Sequence, residues 1–270
     1  METKGFGEEI IHMIPLGHEI DRAVKPFEKY KANKVYLLAL NETFGRYEKE
    51  MIEKQQYYTE AVKAIIESYG IPVQSLNVDL FDTLEVAKHL SRIIVEEKAK
   101  KNQVFVNMSS GNKLSSVVST LTAMAHKAKA YYVVADGYTE TEADKKKHGI
   151  SFCNRLELRW IENLPLKLPS DNELKVLVSL CLEKSGCMNT TKILQSLGTQ
   201  KVKGYEKCTE MFTRKMSRGE KTNCLMKLNK GILSKLESEG YVSREKQGKY
   251  NLIKIEPKGV FVAHISGQMK

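Results

Sequence analysis

Short apolar runs alternate with amphipathic helical segments over the first half of the chain, and this alternation restricts the fold more than any other feature. The apolar runs are mostly continuous and lie at residues 10–14, 35–40, 73–80, 104–108 and 130–135. Strands with this pattern are buried on both faces, because helices cover both sides of a parallel sheet. The sequence therefore predicts an α/β fold with a Rossmann-like, doubly wound, mostly parallel sheet. Ligands of such folds bind at the carboxyl ends of the strands, where the strand order reverses.

The turn that follows the fourth apolar run is a candidate for anion binding. It consists of Ser109, Ser110, Gly111, Asn112 and Lys113. A helix begins directly after it, and the first N–H groups of a helix have no partner within the helix, so they attract phosphate or carboxylate. The spacing of Gly111 and Lys113 does not match the P-loop motif. The same residues also suit an ordinary capped turn without a ligand, and the motif alone leaves both interpretations open.

Two further loops are expected at the same edge of the sheet, after the first and second strands. Their candidate ligand-binding residues are Leu16, Gly17, His18, Asn41 and Thr43. His18 is equally well explained as a ligand contact or as a bystander. Asp21 and Arg22, at the start of the next predicted helix, suit a cap and a salt bridge better than a ligand contact. No G-x-G-x-x-G follows the first strand, so the sequence does not support a dinucleotide oxidoreductase.

The first domain is expected to end near residue 163. Residues 139–149 are polar and predict a solvated loop, whereas the alternating pattern of residues 156–161 predicts an edge strand. Two prolines then mark a linker. We therefore expect a ligand-sensing and dimerisation domain over residues 1–163, a linker over residues 164–169 and a second domain over residues 170–270.

The second domain has the pattern of a winged helix-turn-helix. Its helical segments are predicted at residues 172–183, 189–198 and 222–239. A β-hairpin follows over residues 241–255, with cations at its tip. Three helices followed by a basic hairpin place the third helix in the DNA major groove and the hairpin beside the phosphates. The predicted fold of this part is thus a smaller α+β winged helix-turn-helix domain.

The positive charge of the chain is concentrated in the second domain. Residues 169–270 hold 19 Lys and Arg against 10 Asp and Glu, which accounts for +9 of the net charge of +10. This asymmetry predicts a polyanionic partner, with double-stranded DNA first and an anionic membrane surface second. The residues expected to contact DNA are Lys221, Asn223, Lys227, Lys230, Arg244, Lys246 and Lys249. The alternative is that exposed lysines only keep a small helical domain in solution.

Other classes of protein find little support in the composition. No apolar run reaches the length of a membrane span, and the N-terminus lacks the layout of a signal peptide. The five cysteines form no C-x-x-C pair, so zinc and a disulfide framework are not favoured. We therefore expect a cytoplasmic protein with free thiols, no metal site and no cofactor.

Two stretches resemble a known family. Residues 14–22 read Ile-Pro-Leu-Gly-His-Glu-Ile-Asp-Arg, and residues 107–113 read Asn-Met-Ser-Ser-Gly-Asn-Lys. Both are similar to the corresponding turns of CARF domains, the CRISPR-associated Rossmann-like fold. Together with the C-terminal domain, the chain resembles archaeal CARF transcriptional regulators that carry a winged helix.

The resemblance implies a homodimer with one shared pocket for a cyclic oligoadenylate, most simply cyclic tetra-adenylate. A ring with two-fold symmetry can present equivalent halves to equivalent subunits. The N–H groups of residues 110–113 would then hold phosphates, and Gly17 and His18 would let a base or ribose approach. Asn41 and Thr43 would close over the ligand.

The leading hypothesis is a ligand-responsive transcriptional regulator without enzymatic activity. The alternative is a metal-independent ring nuclease, in which Lys113 with Ser109 or Ser110 would position a ribose 2′-OH and stabilise charge. Many CARF proteins carry Gly-Gly or Thr-Gly-Gly where residues 109–112 read Ser-Ser-Gly-Asn. This difference leaves open a regulator that responds to another nucleotide-like effector.

Overall fold

The computed structural model describes residues 8–40, 46–164, 166–212, 216–247 and 250–269. The chain divides into two compact units, Met1–Lys167 and Leu168–Lys270. Within the described ranges, no helix is both long and apolar enough to cross a membrane.

The N-terminal unit alternates strands and helices. Its strands are β1 (Ile10–Pro15), β2 (Lys34–Ala39), β3 (Val73–Asn77), β4 (Gln103–Asn107), β5 (Lys129–Val133), β6 (Gly137–Tyr138), β7 (Ser151–Phe152) and β8 (Leu158–Ile161). Its helices are α1 (Asp21–Val24), α2 (Lys49–Ser68), α3 (Thr83–Ala99), α4 (Lys113–Ala125) and α5 (Glu142–His148). One sheet has the order β3-β2-β1-β4-β5-β8, in which β8 alone runs antiparallel to its neighbour. The prediction of a Rossmann-like, mostly parallel sheet is confirmed.

The strand order reverses between β1 and β4. The chain passes from β1 outward to β2 and β3 on one side, and then returns to β4 and β5 on the other side. The turns that follow β1 and β4 therefore leave the same edge of the sheet side by side, which is the usual position of a ligand site in a doubly wound fold.

Two segments differ from the sequence-based expectation. The helix expected after β1 is short, because α1 gives way to a 3-10 turn over Lys25–Glu28 that contains Pro26, and proline lacks the N–H group that an α-helix needs there. Residues 139–149 do not form a loop but contain α5. The hydroxyl of Thr141 caps this helix by accepting from the Asp144 N–H group, and lysines occupy its last turn, where the helix dipole favours cations.

The C-terminal unit is a winged helix. Its elements are α6 (Asp171–Leu182), β9 (Cys187–Asn189), α7 (Thr190–Thr199), α8 (Arg218–Leu228), α9 (Ser234–Ser238), β10 (Val242–Gln247), β11 (Tyr250–Ile255) and α10 (Pro257–Ile265). A π turn over Asn229–Leu233 joins α8 and α9 into one long helix. The antiparallel sheet has the order β10-β11-β9. β9 and α10 are additional to the predicted elements, and the predicted α+β winged-helix fold is confirmed.

A buried histidine lies in the sheet of the N-terminal unit. His12 on β1 is stacked on Phe105, with ring centroids 5.1 Å apart, and its Nδ1 atom lies 2.9 Å from the hydroxyl of Tyr131. Burial lowers the pKa of His12 from 6.5 to about 4. The imidazole is therefore neutral in the folded unit over most of the pH range.

This histidine predicts a pH-dependent stability. Between pH 6.5 and about 4 the unfolded chain binds a proton at residue 12 that the folded unit excludes. The contribution of His12 to the free energy of unfolding is therefore fully present above pH 6.5 and is lost as the pH falls to about 4. A pKa difference of this size corresponds to roughly 3 kcal/mol. We expect His12→Gln to flatten this part of the profile. Urea unfolding followed by the fluorescence of Trp160, the only tryptophan, measures the N-terminal unit.

The matched control is His264→Gln in the C-terminal unit, which should leave the Trp160 profile unchanged. Parallel profiles for the wild type and His12→Gln would contradict the prediction.

Candidate functional site

The turns after β1 and β4 are joined directly. The Gly17 N–H group donates a hydrogen bond of 2.8 Å to the Ser110 carbonyl. A Cβ atom at position 17 would lie 3.3 Å from that carbonyl oxygen. At Gly111 a Cβ atom would clash with the Ser115 hydroxyl and lie 3.2 Å from the Pro15 carbonyl oxygen. The close approach of the two turns therefore depends on glycine at both positions.

The beginning of α4 presents backbone donors. Asn112 caps the helix, because its Oδ1 atom accepts from the Ser115 N–H group at 2.8 Å and its Nδ2 atom donates to the Leu80 carbonyl at 3.0 Å. The N–H groups of residues 111–114 have no acceptor among the residues that the structure describes. Such a helix N-terminus provides partial positive charge and directed donors for an anion.

A pocket of about 190 Å³ opens beside these turns. It is lined by Gly17, His18, Glu19, Met51, Gln55, Leu80, Phe81, Ser110, Gly111, Asn112 and Ile150. The structure thus brings together five of the predicted ligand-binding residues from two separate loops. Lys113 is exposed and does not line the pocket. Asn41 and Thr43 lie outside the described residues.

The two adjacent serines of the β4 turn have different surroundings. The Ser109 hydroxyl donates to Asn107 Oδ1 at 2.5 Å and accepts from the Val133 N–H group at 3.1 Å. The Ser110 hydroxyl is buried and has no hydrogen-bond partner within the described part of the chain. Leu16 is fully buried in the core. Leu16 and Ser109 therefore support the two turns, whereas the buried Ser110 hydroxyl makes no hydrogen bond with the described residues.

His18 provides a neutral, planar wall. Its ring is stacked on Tyr58, with ring centroids 4.9 Å apart and an angle of 25° between the planes. Burial, and then the positive charge of Lys54, lower the pKa of His18 from 6.5. At neutral pH His18 therefore offers hydrogen-bonding nitrogens and a ring face, but no charge for a phosphate.

The segment that contains α5 and β7 is hydrogen-bonded to residues that follow β1. The Asp21 carboxylate accepts from the Cys153 N–H group at 2.8 Å and lies 3.0 Å from His148 Nδ1. The Glu19 carboxylate accepts from the N–H and hydroxyl groups of Ser151, at 3.2 and 2.7 Å. Burial raises the pKa of Glu19, and the hydrogen bonds with Ser151 oppose this shift. These carboxylates hold the backbone in place and are not free for a ligand.

Arg22 is likewise engaged within the unit. Its guanidinium donates to the Ser109 carbonyl at 3.4 Å, lies 3.8 Å from the Glu19 carboxylate and sits over the ring of Tyr132. The Ile150 N–H group donates to the His18 carbonyl at 2.8 Å, which places the Ile150 side chain at the pocket. The residue directly after the segment predicted as a solvated loop, Ile150, therefore forms part of the wall of the candidate site.

Several residues that line the pocket are not among the predicted site residues. Met51 and Gln55 belong to α2, Leu80 and Phe81 follow β3, and Ile150 precedes β7. Only Gln55 has a sequence feature that could have indicated its place in the site. Gln55 is a buried amide on the same face of α2 as the apolar core residues that follow it at helical spacing, which is unusual without a polar partner.

The predicted DNA-contacting residues of the C-terminal unit fall into three groups. Lys227 donates to the Gly204 carbonyl at 3.1 Å and lies over the Tyr205 ring. Arg244 is bound to the long helix through the Glu237 carboxylate at 2.7 Å and two further hydrogen bonds. Lys221 is half-buried, and Asn223, Lys230 and Lys246 are exposed, as is Lys227. Lys249 lies outside the described residues.

The contrast between the two serines leads to a prediction about stability. Ser109→Ala leaves the buried Val133 N–H group without its acceptor, and we expect a loss of about 1–3 kcal/mol. Ser110→Ala removes a hydroxyl without a partner in the described structure, so the change should stay within about 0.5 kcal/mol. Urea unfolding of both variants, followed by Trp160 fluorescence, measures the difference. Equal losses would show that the Ser110 hydroxyl is engaged in the free protein.

Two family models match separate parts of the chain. Residues 10–138 match the family described as HFX_2341_N-like, N-terminal. Residues 172–267 match the DUF6293 C-terminal winged helix domain. A search of curated proteins found no match.

One similar solved structure is that of VC1899 from Vibrio cholerae, which is 12% identical with a TM-score of 0.40. The matched region covers 94% of this chain and 64% of the VC1899 chain. Enterococcus italicus Csm6 bound to cyclic hexa-2′-fluoro-hexa-dAMP is 15% identical with a TM-score of 0.41, and the coverages are 87% and 59%. Can2 from Sulfobacillus thermosulfidooxidans in complex with cyclic tetra-adenylate is 11% identical with a TM-score of 0.38, and the coverages are 95% and 62%. The chain spans less than two thirds of the length of each protein.

At TM-scores below 0.5, these similarities do not establish that the chain shares a ligand with any of the three proteins. The C-terminal unit, in contrast, is a winged helix domain both by its own topology and by its match to a family of such domains.

Proposed function

We propose that the chain is a ligand-responsive DNA-binding regulator, in which the N-terminal unit binds a cyclic oligoadenylate and the winged helix binds double-stranded DNA. The observation that carries the proposal is the pocket at the point where the strand order reverses. There, backbone N–H groups without acceptors in the described structure lie next to the buried Ser110 hydroxyl. A preformed pocket with unpaired backbone N–H donors is suited to binding a ligand. Because the same chain also contains a winged helix, a ligand sensor that controls DNA binding is the function that fits both units.

The chemistry of the pocket fits a nucleotide. The N–H groups of residues 111–114 suit a phosphate, and the exposed Lys113, the first residue of α4, adds a positive charge to the same turn. The ring of His18 and the apolar side chains of Phe81 and Ile150 suit the faces of a base. The turns that resemble those of CARF domains are the turns that meet here, which favours a cyclic oligoadenylate over other nucleotides.

The size of the pocket favours a homodimer. A volume of about 190 Å³ is small beside the roughly 300–1,000 Å³ of pockets that hold drug-sized ligands. One subunit would therefore hold only part of a ring. Two subunits related by a two-fold axis would hold equivalent halves of cyclic tetra-adenylate.

The DNA-binding role rests on charge and topology together. Residues 169–270 carry a net charge of +9, and Lys230 and Lys246 are exposed on the long helix and on the wing strand β10. Ligand binding would change the geometry of the sensor dimer and so the spacing of the two winged helices on DNA.

Calorimetric titration with cyclic tetra-adenylate tests the ligand. We expect one ring for every two chains, and a loss of affinity of at least about tenfold in Lys113→Ala, because a charge-assisted phosphate contact is removed. The matched control is Lys127→Ala, just beyond the opposite end of α4. Absence of heat with every cyclic oligoadenylate would overturn the proposal.

Analysis of the ligand after incubation tests the alternative function. The Ser110 hydroxyl beside free backbone donors is the observation that favours a ring nuclease. Linear oligoadenylate products that disappear in Ser110→Ala would identify the chain as an enzyme, whereas an unchanged ring supports the regulator.

Salt-dependent DNA binding tests the winged helix. The double variant Lys230→Ala, Lys246→Ala should weaken binding and lower the slope of log K against log salt by about 0.9 for each phosphate that the variant no longer neutralises. Lys235→Ala is the control, because it removes one charge from the same helix at a side chain that is bound to Glu173 at 2.8 Å. An unchanged slope in the double variant would exclude these two lysines from the DNA interface.

A further inference from the structure

We propose that the side-chain carbonyl of Gln55 selects the base of the bound nucleotide by accepting a hydrogen bond from the 6-amino group of adenine. This inference rests on the proposed function and names the residue that would give the site its preference for adenine over guanine. Gln55 lies on α2, lines the pocket and is buried, with 6% of its surface exposed.

The orientation of the Gln55 amide follows from its partners. Its nitrogen lies 3.0 Å from the Leu16 carbonyl oxygen and 3.2 Å from the Gly17 carbonyl oxygen. Carbonyl oxygens only accept hydrogen bonds, so the atom that faces both of them must be the NH₂ group. The amide cannot flip without facing its own oxygen toward two other oxygens. The remaining polar atom, Oε1, is consequently fixed as an acceptor.

The Gln55 amide is close to the anion-binding turn. Gln55 donates to the Gly17 carbonyl, and the Gly17 N–H group donates to the Ser110 carbonyl at 2.8 Å. A single residue, Gly17, therefore separates the Gln55 amide from the β4 turn. The pocket between them is walled by His18 and Phe81, whose rings suit a base.

A fixed acceptor distinguishes purines at position 6. Adenine carries an amino group there, which can donate to Oε1, whereas guanine and hypoxanthine carry a carbonyl oxygen. Two acceptors facing each other in a buried site leave both unsatisfied, and this costs more than a missing contact. The structure therefore favours a ring of adenylates over a ring of guanylates or inosinates.

The test compares cyclic tetra-adenylate with cyclic tetra-inosinate by calorimetric titration of the full chain. In the wild type we expect the inosinate ring to bind at least about tenfold more weakly. In Gln55→Met, which lacks the acceptor, the ratio of the two affinities should fall toward one. The ratio remains informative even if the loss of the bonds with Leu16 and Gly17 weakens both rings. Gln56→Met, at the exposed neighbouring position, is the matched control and should keep the wild-type ratio.

The outcomes separate this inference from the proposed function. If the wild type binds both rings equally, or if Gln55→Met retains the full preference, the role of Gln55 is wrong while the sensor function stands. If no cyclic oligonucleotide binds to the wild type, the proposed function fails and the inference fails with it.

A second, independent observation concerns a pair of cysteines in the C-terminal unit. Cys208 lies in a 3-10 helix, Glu206–Phe212, and Cys224 lies in α8, with 3.0 Å between their Sγ atoms. We infer that this pair is a site of reversible oxidation to a disulfide by peroxide. A pocket of about 260 Å³ lined by both residues provides access for a small oxidant.

The surroundings assign roles to the two thiols. Cys208 is buried, and burial raises its pKa to about 12, so Cys224, which is half-buried, is the nucleophile. The Cys224 sulfur attacks one oxygen of the peroxide and the O–O bond breaks; the attacked oxygen stays on sulfur as a sulfenic acid, and the other oxygen leaves as hydroxide, which takes up the proton that the thiol gives up and becomes water. The Cys208 sulfur then attacks the Cys224 sulfur, forms the S–S bond and releases a second water.

The disulfide would tether the 3-10 helix to α8. Lys227, one of the predicted DNA contacts, is held by the Gly204 carbonyl just before that helix. Oxidation therefore fixes Lys227 in this contact, and we expect weaker DNA binding that a thiol reductant restores.

Mass spectrometry of peroxide-treated full chain tests the pair. A cross-linked peptide joining residues 208 and 224, with the loss of two hydrogens and recovery on reduction, is the expected result. Cys208→Ser and Cys224→Ser should each abolish it, whereas Cys187→Ser is the control. Oxidation to separate sulfinic acids, or identical DNA affinity of the disulfide form, would overturn the inference.

Discussion

The hydrogen bond from the Gly17 N–H group to the Ser110 carbonyl is the interaction on which the candidate site depends. It joins two turns that are more than 90 residues apart in the sequence and that leave the sheet on either side of the point where the strand order reverses. Glycine at positions 17 and 111 permits this contact, because side chains there would meet neighbouring backbone. The pocket exists because the turns are held together in this way.

Around this contact, polar groups of the N-terminal unit divide into those with partners and those without. Asp21, Glu19 and Ser109 hold backbone segments in place, so the unit keeps few unused buried polar atoms near the turns. Among the described residues near the turns, the Ser110 hydroxyl and the Arg22 Nε atom are buried without a hydrogen-bond partner. An unpaired buried hydroxyl costs stability, so the Ser110 hydroxyl lacks the compensation that Ser109 has.

Sequence reasoning reached the fold and the two turns because both depend on local patterns. Each continuous apolar strand, each amphipathic helix and the Ser-Ser-Gly-Asn turn can be recognised within one uninterrupted stretch of sequence. The residues that form the walls of the pocket could not be predicted in this way. Phe81 and Ile150 come from distant segments of the chain, and their position at the pocket depends on tertiary contacts. Residues 139–149 looked like a solvated loop because their helix, α5, exposes nearly all of its side chains and has no apolar stripe.

The π turn over Asn229–Leu233 changes how the long helix of the winged domain can meet DNA. A π turn adds a residue to the helical repeat, and each residue turns an α-helix by about 100°. Side chains before and after the turn therefore do not continue a single stripe along the helix. Lys221 and Lys227 precede the turn, whereas Lys230 lies within it. Lys221 and Lys227 are six residues apart, so at about 100° per residue they already lie about 120° apart around the helix axis, and the positive charge of the long helix is spread around that axis rather than collected on one line.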